Sequence, residues 1–193
     1  MVNIIRDASL AVVGINGGAW VGPLGGAQPT DPAAAPTGAW LAIGAISEDG
    51  LTNGVDEDSE QFTPWGLGSP FRTVVTSSIR TFSFTAWETN RPIVKSLQYR
   101  VDVAELVPTL GVTTFAESAN QAPDRRSWLF DVYDGATWER FYVPEGEITE
   151  RSDVTYQNGE MVGYEWTIST YPDAANNLVY HSYFAPEVEE HMS

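Results

Sequence analysis

Along much of the chain, apolar and polar residues alternate with a period of two, the pattern of strands with one packed and one wet face. Phe71 to Thr76 and Ser78 to Glu88 are β-branched and aromatic, and the second run puts Phe82, Phe84 and Ala86 on one side. Arg126 to Tyr133 places Trp128, Phe130 and Val132 on one face, turns at Asp134-Gly135 and returns as Trp138 to Val143. An Asp-Gly pair between two such runs is a strong hairpin signal. Glu147 to Tyr156 and Met161 to Tyr171 predict a second hairpin around Gln157-Asn158-Gly159-Glu160, with Val162, Tyr164, Trp166 and Ile168 on one face and Gly163, Glu165, Thr167 and Ser169 on the other. Trp40 to Ile46 reads as a further strand, and Ala19 to Leu24 as another. Thr89-Asn90-Arg91-Pro92 offers a capping side chain and a first-turn proline, so a short helix is expected to about Tyr99 with Ile93, Val94 and Leu97 on one side. These elements predict a mainly β fold: seven or eight antiparallel strands in a β-sandwich or partly closed barrel, with one short flanking α-helix.

The stretch from Trp40 to Gly66 interrupts this regularity. After an apolar start it carries Glu48, Asp49, Asp56, Glu57, Asp58 and Glu60, with no basic residue among them, and closes on Phe62, Pro64 and Trp65. Six carboxylates so close together repel one another, and such a segment gains little by packing down in an isolated chain. Its aromatic ends leave two readings open: a long acidic loop that orders on a partner supplying countercharge and an apolar seat, or a solvated loop whose Trp residues anchor it in the core. A calcium loop is disfavoured, because Asp56-Glu57-Asp58 lacks the alternating carboxylate order and distal Glu of an EF-hand.

Charge sharpens the picture. The 193 residues hold 26 acidic and 10 basic side chains, a net charge of −16, which repels nucleic-acid phosphates and anionic membranes alike. The length suits one domain with appendages. Cysteine is absent, which excludes disulfides, thiolate metal sites and a Cys nucleophile. The first residues make a poor secretory signal, and no apolar run reaches the length of a membrane span. Residues 1–39 are rich in Gly, Ala and Pro and read as extended chain and turn, while the polar residues after Pro172 read as a loose tail, 174–193.

Catalytic chemistry finds little to stand on. The two histidines, His181 and His191, both fall in the tail, so neither a Ser-His-Asp arrangement nor a histidine metal site is supported. With 26 acids some pair will always suit a glycosidase on paper, which is no signal. Gly14 to Gly18 lacks the Lys-Ser/Thr and following helix of a phosphate loop. No cofactor or metal is called for, and the chain is not expected to be an enzyme. Seven Trp and eight Tyr on a β-sandwich do raise a carbohydrate-binding module as an alternative; Trp128 and Trp166 fall on packed faces, leaving Trp87 and Trp138 as its surface candidates.

Several ordered blocks resemble a known family: G-A-W-V-G-P-L-G from Gly18 to Gly25, P-T-D from Pro29 to Asp31, G-A-I-S-E-D-G-L from Gly44 to Leu51, V-D-E-D-S-E from Val55 to Glu60 and Trp65-Gly66. W-E-T-N-R-P from Trp87 to Pro92, W-L-F-D-V-Y-D-G from Trp128 to Gly135 and Y-P-D from Tyr171 to Asp173 complete the set. Together they resemble the major tail tube proteins of long-tailed (siphovirus-type) phages that infect actinobacteria. The resemblance implies a structural virion protein, assembled in the host cytoplasm into six-fold rings that stack into a hollow tube for the DNA. It implies an extended N-terminal arm over 1–39, a tail-tube β-sandwich domain over 40–173 and an inter-subunit loop over 51–69. Its implied partners are copies of itself, a tape measure protein and tail terminator or initiator proteins, with DNA passing unbound and no membrane involved. On that basis the loop's contact residues are Glu48, Asp49, Asp56, Glu57, Asp58, Glu60, Phe62 and Trp65. Arg72, Arg80, Arg125 and Arg126 are the candidates to receive it, and Glu147, Asp153 and Glu165 the candidates to line an acidic lumen.

Overall fold

The computed structural model of the protein describes residues 11–29, 31 and 34–184. Among these residues eight strands are formed: β1 (Asn16–Gly22), β2 (Leu41–Ala42), β3 (Ile46–Phe62), β4 (Arg72–Ala86), β5 (Arg125–Asp134), β6 (Thr137–Arg151), β7 (Tyr164–Thr170) and β8 (Tyr180–Phe184). The helix α1 (Pro92–Tyr99) follows β4. All pairings are antiparallel, in the order β2-β1-β5-β6-β7-β4-β3, with β8 also on β6. This is one rolled sheet rather than two packed ones, and it does not close. Its two margins meet where the Ile43 N–H donates to the Ala19 carbonyl and the Trp87 N–H donates to the Ala45 carbonyl. There Gly44 has φ +95, and a Cβ would lie 2.3 Å from the Glu88 side chain, so only glycine fits this crossing.

Alternation places the core as the sequence implies. Phe82, Phe84 and Ala86 of β4, Trp128 and Phe130 of β5, and Tyr164, Trp166 and Ile168 of β7 are all buried in one cluster. Phe82 stacks on Phe130 with ring centroids 4.7 Å apart, and Phe84 meets Trp166 edge to face at 5.8 Å, geometries that add about 1 kcal/mol each to simple burial. Ile93, Val94 and Leu97 of α1 pack against the same cluster, and Trp166 Nε1 donates to Gln98 Oε1 at 2.7 Å. Proline stands at the helix start, but Arg91 is the N-cap and no side chain caps it, since the preceding Thr89-Asn90 belongs to the turn from β4.

Several boundaries differ from the sequence reading. Trp138–Val143 and Glu147 onward are one strand, β6, which carries Pro144 at a register shift opposite Ser127. A proline inside a strand needs such a bulge because it lacks the N–H. Beyond it β6 changes neighbour: β8 flanks Trp138–Tyr142 and β7 flanks Gly146–Arg151 along the same edge. The expected loose tail therefore supplies a strand, β8, as far as Phe184, because Trp138 stacks on Phe184 at 5.6 Å and Phe141 meets His181 at 5.2 Å; residues 185–193 lie outside the described residues. The segment expected to be an arm over 1–39 includes β1, an integral strand paired with β5 from Asn16 to Gly22. The expected loop over 51–69 is strand as far as Phe62.

Residues 23–29, 31 and 34–40 lie as a strap over the outer face of β5 and β6. Arg140 and Asp131, both 1% exposed, make a bidentate pair with both N–O distances 2.7 Å. The same guanidinium donates to the Asp31 carbonyl at 2.7 Å and the Ala34 carbonyl at 3.1 Å. Tyr142 donates to the Gly26 carbonyl at 2.7 Å and meets Trp40 edge to face. Burial pushes the Arg140 pKa down, but the hydrogen bond and charge of Asp131 outweigh it, so the group is held more firmly charged. Leu129, on the wet side by simple alternation, is fully buried because this layer covers it.

Candidate functional site

The acidic segment is a ribbon that leaves the body of the protein. β4 pairs with β7 only from Thr81 to Ala86, whereas its pairing with β3 continues to Arg72. From Val55 to Phe62 on one side and Arg72 to Arg80 on the other, two strands stand without a third among the described residues, over about 26 Å at 3.3 Å per residue. The Phe71 N–H donates to the Phe62 carbonyl and closes the ribbon before its tip at 63–70. A two-stranded ribbon in water is marginal at best, and this one exposes Val55, Phe62, Trp65, Leu67, Phe71, Val75 and Ile79. Trp65 is fully exposed and Phe71 79% exposed.

The register distributes its charge. Asp56, Asp58 and Glu60 alternate down one face with Phe62, and Glu57 lies on the other. Opposite them stand hydroxyls: Ser77 donates to Asp58 and Ser78 to Glu57, each at 3.1 Å, and Thr76, the extra residue at a bulge, donates to the Asp58 carbonyl at 3.2 Å. These bonds hold the carboxylates in place without neutralising them. Glu48 and Asp49 sit apart, exposed on the irregular start of β3 at the ribbon's base, where Ser47 to Gly50 oppose Thr85 alone.

The four arginines named from sequence divide into two pairs. Arg72 and Arg80 are on the ribbon itself, across from Phe62 and Val55. Arg125 is bonded to Glu145 and lies 3.9 Å over the Tyr171 ring, and Arg126 donates to both oxygens of Asp124 at 2.9 and 3.0 Å. Of the carboxylates named for a lumen, Glu165 is exposed on the outer face of β7 and Asp153 in the connection after β6, whereas Glu147 is only 14% exposed, between Arg100 at 3.7 Å and Arg125 at 3.9 Å. The outer face around Glu165 is otherwise hydroxylic: Ser83 donates to Thr167 at 3.1 Å, and Thr149 and Ser169 bond at 2.8 Å. Arg151, which shares the Glu147 face by simple alternation, is turned under α1 by a register shift between Ile148 and Glu150, and donates to the Leu97 carbonyl at 2.9 Å.

Two polar constellations escaped the sequence reading. The Asp131–Arg140 pair was available from the Asp-Gly turn, whose register sets residue 131 directly across from 140. The Arg100–Arg151 neighbourhood was not, since it depends on how α1 packs and on the bulge in β6. Trp138, proposed as a surface aromatic, is buried beneath Phe184, and Trp87 is half-buried, so no aromatic platform for sugars is formed by these two. Among the described residues no three carboxylates or histidines converge as a metal site.

Solved structures similar to this chain include one from the virion of a native gene transfer agent particle, at 8% identity and TM-score 0.43, covering 76% of this chain and 89% of that one. A second belongs to the PVC sheath/tube terminator of an extracellular contractile injection system in its extended state, at 10% identity and TM-score 0.45, covering 94% and 99%. No curated protein matches the sequence. The family model described as phage tail tube protein, however, matches residues 6–183. That match spans nearly the whole strand array and its ribbon, and the chain belongs to the phage tail tube protein family, a structural subunit of the virion's tail tube.

Proposed function

We propose that copies of this chain close into six-membered rings, and that the β3–β4 ribbon of each subunit seats on a neighbouring copy as the rings stack into a DNA-conducting tube. The observation that carries this reading is the ribbon itself: a strand pair that is marginal alone, acidic on its faces and apolar toward its tip, gains stability only against another surface. The outer edge of β3, unpaired among the described residues, supports it too, since an edge of 17 residues is a liability that assembly covers. A stack of like-oriented rings has no intrinsic length or end, so a tape measure protein and initiator and terminator proteins are the partners this architecture calls for. We assign the bore to the hydroxyl-rich outer face of β4 and β7 with Glu165, and to Asp153, because a weakly acidic surface gives DNA phosphates nothing to hold. Glu147, already paired, is left out of that lining. The role is structural rather than enzymatic.

The test is Trp65→Ser combined with Phe71→Ser. Both side chains are exposed, so the folded subunit is expected to keep its melting temperature, while negative-stain micrographs of concentrated protein show tubes for wild type and none for the variant. Tubes of wild-type appearance from the variant would remove the ribbon from assembly.

A further inference from the structure

The loop that follows α1 lifts one apolar side chain off the body at a conformational cost. Thr109 and Val112 exchange backbone hydrogen bonds, the Thr109 N–H to the Val112 carbonyl at 2.8 Å and the Val112 N–H to the Thr109 carbonyl at 3.0 Å, so Leu110 and Gly111 make the turn between them. Both have positive φ, 53 and 82. A two-residue turn with that pattern is ordinarily built from Asn-Gly or Gly-Gly, and a bulky residue in its first place is strained. Leu110 is fully exposed, and Val107 and Val112 beside it are exposed too, so no burial among the described residues offsets the strain. The feet of the loop are held: Leu106 is buried, and the Phe115 ring lies 5.2 Å from that of Tyr99 at the end of α1. A strained residue that presents an apolar side chain to water is explained if that side chain meets another molecule.

The place of this knob selects what it meets. Tyr99 also packs edge to face on Tyr164, which pairs with Ala86 at the end of β4 furthest from the ribbon tip. The tip lies beyond Arg72, the other end of that strand, about 46 Å away at 3.3 Å per residue. The two ends match in chemistry: neither 61–71 nor 106–116 holds a charged side chain, with Glu60 and Arg72 bounding the first and Glu105 and Glu117 the second. Between copies that each carry −16, an uncharged apolar contact avoids the repulsion that acidic faces meet. Val12, Val13 and Ile15 are also exposed toward the ribbon's end of the sheet, but Asp134 stands among them, accepting from the Val13 N–H at 2.7 Å. Resting on the stacking reading above, we infer that the Leu110 knob packs against Trp65, Leu67 and Phe71 at the ribbon tip of the next copy in the stack. Such a contact joins two different surfaces at opposite ends of the molecule, propagates in one direction and so builds an open stack.

Leu110→Gly tests the knob, because glycine suits the turn and the subunit is expected to melt no lower than wild type, while tube yield, followed by sedimentation and negative-stain microscopy, falls at least tenfold. Crosslinking reads the contact itself, since a chain without cysteine gives no background. Leu67→Cys combined with Val112→Cys leaves Leu110, Trp65 and Phe71 in place. Assembled tubes of this variant, treated with a flexible bismaleimide, are expected to give a ladder on denaturing gels that runs past six copies, because links along a stack have no end whereas links around a six-membered ring close. Leu110→Gly tubes at the wild-type yield, well-formed tubes without a ladder, a ladder that stops at six, or dimers from either single cysteine variant would each overturn the knob while leaving the tube intact. Failure of wild type itself to assemble would remove the stacking reading first, and the knob with it.

Discussion

Replacing Arg140 by Met breaks the buried pair beneath the strap while nearly keeping the side chain's length. The variant leaves Asp131, 1% exposed, with the Tyr133 hydroxyl at 3.1 Å as its remaining partner among those the structure gives it. Removing one member of a buried ion pair costs about 3–5 kcal/mol, because the other charge stays desolvated. The Asp31 and Ala34 carbonyls add little, since both residues are exposed and water replaces the lost donors. With a urea m-value of about 2 kcal/mol/M for a domain of this size, the midpoint is expected to move down by roughly 1.5–2.5 M. Urea unfolding of the dilute, unassembled subunit by tryptophan fluorescence measures it, and Trp40 at the edge of the strap reports early release of the strap if that precedes global unfolding. The control is Arg140→Met with Asp131→Leu, which removes both charges and is expected to recover most of the loss. A single variant less than about 1 kcal/mol below wild type, or a double variant no more stable than the single, would refute the claim that electrostatic pairing rather than packing holds this layer.

Two further outcomes are expected. Gly146→Ala would place a Cβ 2.9 Å from Trp128 Cδ1 and 3.0 Å from Ile168 Cγ2, both fixed in the core, so overpacking is expected to cost about 1–3 kcal/mol by urea unfolding; a neutral effect would mean that β6 moves freely there. Glu88 has its pKa lowered, first by the Ala45 N–H and then by Arg91, so its contribution to stability is complete above its ordinary value of 4.5 and is lost as pH falls through the lowered folded value. Glu88→Gln is accordingly expected to flatten the acid side of the melting-temperature profile, and an unchanged profile would show that Glu88 contributes nothing to the sheet's crossing.

Much of the strand array was legible because local chemistry carried it. Period-two alternation assigned Phe82, Phe84, Trp128, Phe130, Trp166 and Ile168 to one buried face, Asp134-Gly135 marked its turn, and Pro92 with Ile93, Val94 and Leu97 marked α1. Those signals act within a few residues, so a chain read in order contains them. The acidity of Asp56 to Glu60 was equally plain, but not their conformation: carboxylates that argue for a loop locally sit in a strand because Arg72 to Ile79 offers a partner edge and Ser77 and Ser78 offer donors. Burial of Leu129, the pairing of Arg140 with Asp131 under the strap, the strand at Tyr180–Phe184 and the turning of Arg151 beneath α1 depend on segments about 10 to over 100 residues apart or on a one-residue bulge that reverses which face a side chain takes. Short-range pattern decides which residues seek an apolar side, whereas only the assembled sheet decides how many sides of a strand are covered, and which charges are left to meet another molecule.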